Sequence, residues 1–454
     1  KLIMKLSIRD IKHLLIKTNN LDDDLMFDSS NINIDSRTFK KNEIFLALEG
    51  DRFDGNNFIA DVIKQKPLFF ITNREQESNV GYAIVKSGKK FLIELSKLIL
   101  KKLSLTKVAI TGSNGKTTTK DLIVHFLKNK FYDEAVLSTK GNYNNEIGLP
   151  LSILQSQGVE KFAVFEIGTN HPGEIIHLAD IIRPNISIIT NIGDAHIGNF
   201  GSKEKIAEEK KHIFHFLKTN ELKIINKHDE YFQILNQSPG KTFCISNNND
   251  DLDALRFKYI EPNDIELAYK SESIRIKFQL TGQHNLQNFA IACAALLNMG
   301  IDFKELEKYF GNLESTNGRF KKYILKENVE LIDDSYNSNP SSLLSAIDYI
   351  NQSEKTKILI IGDMGELGEL SDKYHRQIIE KILKTNIDVV LTMGSAFKAA
   401  SNKNDSNTIF NFSTYDDLVD KALSAIKTDT IILVKASRFM AFENIVSQLK
   451  RRLQ

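Results

Sequence analysis

Along the first hundred residues, apolar runs are short (43–48 and 68–72), and they are separated by a turn-rich cluster at 50–57. Residues 1–15 alternate charged and apolar side chains at helical spacing. A longer signal follows. Phe91, Leu92, Leu95, Leu98, Ile99 and Leu103 form the stripe of an amphipathic helix over 89–103. From Lys107 the pattern changes to buried strands at 108–111, 162–166 and 186–190, with helices at 117–127 and around 205–217. Strands that alternate with helices predict a parallel sheet covered by helices, with ligands beyond the carboxyl ends of its strands. A polar stretch at 312–318 interrupts the alternation, which resumes with strands at 329–333, 357–361, 389–392 and 431–434. The pattern therefore predicts three modules, 1–103, 104–318 and 319–454, the last a smaller open α/β unit.

Length agrees, since 454 residues at about 150 per domain suggest three domains. Composition removes several alternatives. Lys+Arg 60 against Asp+Glu 58 gives a net charge of +2, so a nucleic-acid binder that works by phosphate neutralisation is not expected. At 41% hydrophobic and 26% charged, the chain should pack rather than remain disordered. No apolar run approaches the length of a membrane span, and residues 1–15 lack the continuous apolar core of a secretion signal. Cys244 and Cys293 make neither a zinc nor a disulfide framework, so a reducing compartment, the cytoplasm, is expected.

The sharpest chemical signal is Thr111-Gly112-Ser113-Asn114-Gly115-Lys116-Thr117-Thr118, between a strand and a helix. Glycines let the backbone wrap phosphate, the helix start offers free N–H groups, Lys116 supplies charge, and Thr117 a hydroxyl for Mg²⁺. Ile110 stands where the general P-loop has its first glycine, which argues against ordinary GTPases and nucleotide kinases. Phosphoryl transfer also needs cation ligands nearby. Glu166, at the end of one strand, and His196, in the loop after another, both fall on the P-loop edge of the sheet. The spacing Gly362, Gly365, Gly368 is not a dinucleotide fingerprint, so no NAD is expected.

Lys210 shares a helical stripe with Ile206, Ile213 and Leu217, which points it toward the apolar side. Two readings stay open from spacing alone. The side chain can run along its stem to the rim, or it can be a neutral amine that has captured CO₂ as a carbamate, a carboxylate-like ligand for a second cation.

Taken together, these residues resemble the Mur ligases, the ATP-dependent amide-forming enzymes of bacterial cell-wall precursor synthesis. Besides the P-loop variant, the resemblance is carried by Asp35-Ser36-Arg37, Gly141-Asn142-Tyr143-Asn144-Asn145-Glu146-Ile147-Gly148, Asn191-Ile192-Gly193-Asp194-Ala195-His196, Gly282-Gln283-His284-Asn285 and Lys435-Ala436-Ser437-Arg438. Three further stretches are similar to the branch that adds the terminal dipeptide. They are Glu166-Ile167-Gly168-Thr169-Asn170-His171-Pro172, Asp333-Asp334-Ser335-Tyr336-Asn337-Ser338-Asn339-Pro340 and Gly362-Asp363-Met364-Gly365-Glu366-Leu367-Gly368.

The resemblance implies an α/β, three-domain Mur ligase architecture, with an N-terminal UDP-sugar module, a central P-loop ATPase parallel sheet and a C-terminal Rossmann-like domain for the incoming dipeptide. It implies ATP and two Mg²⁺ sites, with Thr117, Glu166, His196 and carbamylated Lys210 as cation ligands. Lys116 and Arg319 would meet phosphates, Asn288 the adenine, Asp334 the ribose, Ser36 and Arg37 the nucleotide sugar, and Lys435 and Arg438 the dipeptide. Alone, Asn288, Arg319 and Asp334 each have an ordinary reading as polar residues at element ends. The implied reactants are UDP-N-acetylmuramoyl-tripeptide and D-alanyl-D-alanine, the implied assembly a monomer. Rivals are a tripeptide-forming or folate-polyglutamylating ligase, and a P-loop module that uses ATP only as a conformational signal.

Overall fold

A computed structural model describes residues 4–50, 53–261, 264–278, 282–310, 318–402 and 407–454. Its strands gather into three main sheets in chain order. The first, among the described residues, has five strands in the order Lys17–Asn19, Tyr82–Ile84, Phe69–Thr72, Ile44–Leu46, Ile32–Asn33. Most of these strands are two or three residues long, and the inner ones are buried on both faces. The helix Gly88–Lys102, capped by Ser87, buries Phe91, Leu92, Leu95 and Ile99. It joins the apolar cluster that also holds Leu149, Ile153 and Ile175, so the first sheet is packed onto the second through this helix. Lys97 adds an ion pair with Asp180 at 2.8 Å.

The central sheet has nine described strands. It runs in parallel from Val136–Ser138 through Phe162–Glu166, Thr106–Thr111, Ile186–Ile189, Leu222–Asn226 and Lys241–Ser246 to Leu255–Glu261, then turns antiparallel through Asp264–Tyr269 and Glu272–Lys277. The P-loop strand Thr106–Thr111 lies between Phe162–Glu166 and Ile186–Ile189, and this puts the loops after all three strands on one edge. The third sheet has six described strands, parallel except for Lys321–Ile324 at its edge.

Two expectations change. Residues 1–15 do not form one helix: Lys5–Ser7 pairs with Met26–Asp28, and a short helix, Ile8–Ile11, starts only at a Ser7–Asp10 capping box. Pairing of Leu6 with Phe27 overrides the helical spacing. The helix expected around 205–217 is instead Lys203–Lys211, capped by Ser202, followed by a tighter turn at His212–Phe214. The polar stretch taken as the second boundary lies, up to residue 317, outside the described residues.

Candidate active site

The P-loop is shaped by what surrounds it. Gly112 has φ +150° and a Cβ there would fall 1.9 Å from Thr190 Oγ1; Gly115 has φ +80° and a Cβ would fall 2.2 Å from Asn288 Oδ1. Only glycine fits either place. The loop is laced to the neighbouring strand end: Ser113 N–H donates to the Asn191 carbonyl (3.0 Å), Gly193 N–H to Ser113 Oγ (2.8 Å), and Thr190 Oγ1 to the Asn114 carbonyl (2.5 Å). The helix Lys116–Lys130 starts directly behind, with Thr118 in its first turn, so its free N–H groups face the loop.

Lys116 Nζ donates to the Gly112 carbonyl at 2.8 Å. Part of this side chain stays accessible, but the ammonium is ringed by protein; burial draws its pKa down, and the Glu166 carboxylate opposes that shift. Thr117 Oγ1 donates to Glu166 Oε2 at 2.7 Å and accepts from an Arg319 N–H at 3.0 Å. Arg319 comes from beyond residue 318 and lies on the Tyr336 ring, 3.9 Å from its centroid. A hydroxyl, a carboxylate and a guanidinium thus converge at the mouth of the P-loop. The other Glu166 oxygen accepts from Asn144 Nδ2 at 2.8 Å. Asn144 was visible as part of a motif but not as a ligand of Glu166, because the two are brought together only by the sheet edge.

Lys210 is 1% exposed, and among the described residues no hydrogen bond reaches its Nζ. Burial, and then the charge of Lys116, pull its pKa down to about 7. Its place is set by Glu209, which is also buried. Glu209 accepts from the N–H groups of Gly173 (2.7 Å) and Ile175 (2.9 Å) and so ties the Lys210 helix to the start of the helix Glu174–Ile182. His196, at φ +61°, has Nδ1 2.7 Å from Glu366 Oε2, and Glu366 is held below the usual carboxylate range chiefly by that imidazole.

Asp334 accepts from Lys435 Nζ at 2.6 Å, and the same ammonium donates to the Asn337 carbonyl at 3.0 Å. Lys435, expected at the dipeptide, is 3% exposed and engaged with the carboxylate expected at the ribose. Arg438 is exposed, pairs with Glu443 at 2.9 Å and lies near the Tyr336 ring. Ser36 and Arg37 follow the strand Ile32–Asn33 of the first sheet, where Arg37 is held by Asp35 at 2.6 Å; among the described residues no hydrogen bond or ion pair joins them to the P-loop.

The donor set suits Mg²⁺ at one place: Thr117 Oγ1 and the Glu166 carboxylate are hard oxygen ligands within 2.7 Å of each other.

Known proteins resemble this chain along most of its length. The Mur ligase middle domain model matches residues 110–296, and the Mur ligase, glutamate ligase domain model matches residues 318–438. A UDP-N-acetylmuramoyl-tripeptide–D-alanyl-D-alanine ligase from Haemophilus influenzae is 31% identical over 432 residues, 93% of this chain and 94% of that protein. The chain belongs to the Mur ligase family. A ligase of the same name from Borreliella burgdorferi is 32% identical and covers 91% of this chain and 92% of its own length. Among solved Mur ligases, MurF from Acinetobacter baumannii superposes with a TM-score of 0.89 at 26% identity, over 99% of this chain and 100% of that one. MurF from Thermotoga maritima in complex with ADP gives 0.83 at 27% identity, over 94% of this chain and 99% of that one.

Proposed function

We infer that this Mur ligase joins D-alanyl-D-alanine to UDP-N-acetylmuramoyl-tripeptide, with ATP cleaved to ADP and phosphate. The observation that carries this reading is the meeting of Thr117, Glu166 and Arg319 at the P-loop mouth, in a chain that matches ligases of that name along nearly its whole length. The terminal carboxylate of the tripeptide attacks the γ-phosphorus and ADP leaves. The dipeptide amine then attacks the acyl phosphate carbon, phosphate departs, and the amine loses its proton. Two anions must approach in the first step, so Lys116 and Arg319 serve to offset phosphate charge and hold the γ-group in line.

Thr117 and Glu166 would hold one Mg²⁺, and His196 with Lys210 as a carbamate a second. Bound there, the cations offset charge on the phosphoryl oxygens. Asn288 against the P-loop and Asp334 beside Lys435 support adenine and ribose roles. Residues 1–103, with Ser36 and Arg37, would take the UDP-sugar, 104–318 the ATP, and 319–454, with Arg438, the dipeptide. The reaction belongs to peptidoglycan precursor synthesis and so to cell shape and division. A cytoplasmic monomer is the form proposed; no described helix is long and apolar enough to cross a membrane.

The test is a coupled ADP-release assay with L-lysine and diaminopimelate tripeptides, with and without D-alanyl-D-alanine. Release should need both a tripeptide and the dipeptide, with an amide product on mass spectrometry. Release driven by a free amino acid would point to the tripeptide-forming or folate-type ligases, and nucleotide binding without amide to a switch.

A further inference from the structure

The turn that carries His196 is completed by another module. Ile197, Phe200 and Ile206 are buried in the same apolar cluster as Ile332, Leu343, Met364 and Leu367, so the C-terminal sheet packs directly on the His196 turn and on the helix that carries Lys210. The fit at this seam is backbone on backbone. Gly198 N–H donates to the Glu366 carbonyl at 3.1 Å, and a Cβ at Gly198 would fall 2.5 Å from Gly368 N. On each side stands a side-chain-bearing residue in left-handed backbone, His196 at φ +61° and Glu366 at φ +62°. Such a conformation is costly and persists only where the surroundings enforce it, most often at functional sites. Here the two strained residues face each other. Glu366 Oε2 reaches 2.7 Å from His196 Nδ1, in contact but short of the alignment of a full hydrogen bond.

We infer that Glu366 is a positioning residue for His196. With its Nδ1 held by Glu366, the imidazole would have Nε2 left to offer a cation, the arrangement in which a carboxylate orients an imidazole ligand. Because Glu366 belongs to the C-terminal module, His196 is set for its cation only while that module is docked. The second cation site is therefore conditional on the module interface. Tyr374, which donates to Asp194 at 3.1 Å two residues from His196, strengthens the same seam. This inference rests on His196 as a cation ligand.

The experiment titrates the full chain, with ADP present, with Mn²⁺ followed by electron paramagnetic resonance. His196→Ala should remove the weaker Mn²⁺ class. Glu366→Gln should weaken that class by about 10- to 100-fold, Glu366→Asp should restore part of it, and the double variant should bind no worse than His196→Ala. Thermal melts of each variant separate a folding defect from a positioning one. Wild-type Mn²⁺ binding in Glu366→Gln, beside a loss in His196→Ala, would overturn the inference alone. Additive losses in the double variant would also overturn it, since Glu366 would then act without His196. Unchanged binding in both single variants would instead remove His196 as a ligand.

Discussion

At the scale of single residues, Lys210 is the one whose chemistry is made by its position. Its amine, lowered to about 7, is substantially neutral at and above neutral pH, and only the neutral amine can add CO₂. If Lys210 carries the proposed carbamate, activity should fall as pH drops through about 7, and added bicarbonate should restore it most near that pH; a pH series of initial rates at two bicarbonate levels measures this. The sign for stability follows from the same shift. An unfolded lysine keeps its proton up to about 10.4 while the folded one releases it near 7, so the unfolded state binds more protons between those values and stability rises with pH across that window. Lys210→Met should accordingly melt higher than wild type at pH 7 by scanning calorimetry while losing activity. Lys210→Ala should be inactive yet partly rescued by a small carboxylate, and Lys210→Arg inactive without rescue, because a guanidinium does not form a carbamate. The inward side of Lys210 was legible from Ile206, Ile213 and Leu217. Glu209 was not, since its two partners, Gly173 and Ile175, lie more than thirty positions back and only the folded chain joins them.

Elements were legible where burial was two-sided and long enough to show. Residues 162–165 and 358–361 are continuous apolar runs and Ile186–Ile189 is broken only by Ser187, a composition that announces a covered parallel sheet. The two- and three-residue strands of the first sheet could not be read this way. Ile32–Asn33 is too short to have a period, and its state is decided by pairing with Ile44–Leu46. The Glu209 clasp joins two helices and its loss should be felt as an element-level defect. Glu209→Ala leaves the N–H groups of Gly173 and Ile175 without their acceptor, so a loss of about 1–3 kcal/mol is expected from urea unfolding. The P-loop makes the opposite kind of prediction, a functional loss with the fold kept. In Gly115→Ala the new methyl meets the Asn288 amide and the backbone is held at φ +80°. ADP affinity should drop at least about tenfold by calorimetry, equivalent to about 1.4 kcal/mol, with an unchanged far-UV circular dichroism spectrum.

Across the whole molecule, the proposed ATP site draws side chains from beside two different sheets. Arg319 reaches Thr117 from the far side, and Asn114 at the P-loop tip accepts from Asn339 (2.8 Å) and donates to Ser341 (3.2 Å). Arg319→Lys should not be conservative: an ammonium lacks the flat face that lies on Tyr336, and stopped-flow single turnovers should show slowed phosphoryl transfer with ADP affinity near wild type. The P-loop itself could be read from sequence, but not that its tip is gripped from residues 339 and 341, because that contact exists only once two sheets meet. The apolar cluster shared by Ile197, Phe200 and Ile206 with Leu367 has one more consequence. Three side chains of the central part fill an apolar cluster that otherwise belongs to the C-terminal sheet, so that cluster is incomplete without them. A chain split near residue 318 should yield two sticky fragments that regain a cooperative melt only when mixed. Heat capacity should then register the central and C-terminal modules as a single melting unit, although the eye divides them into two.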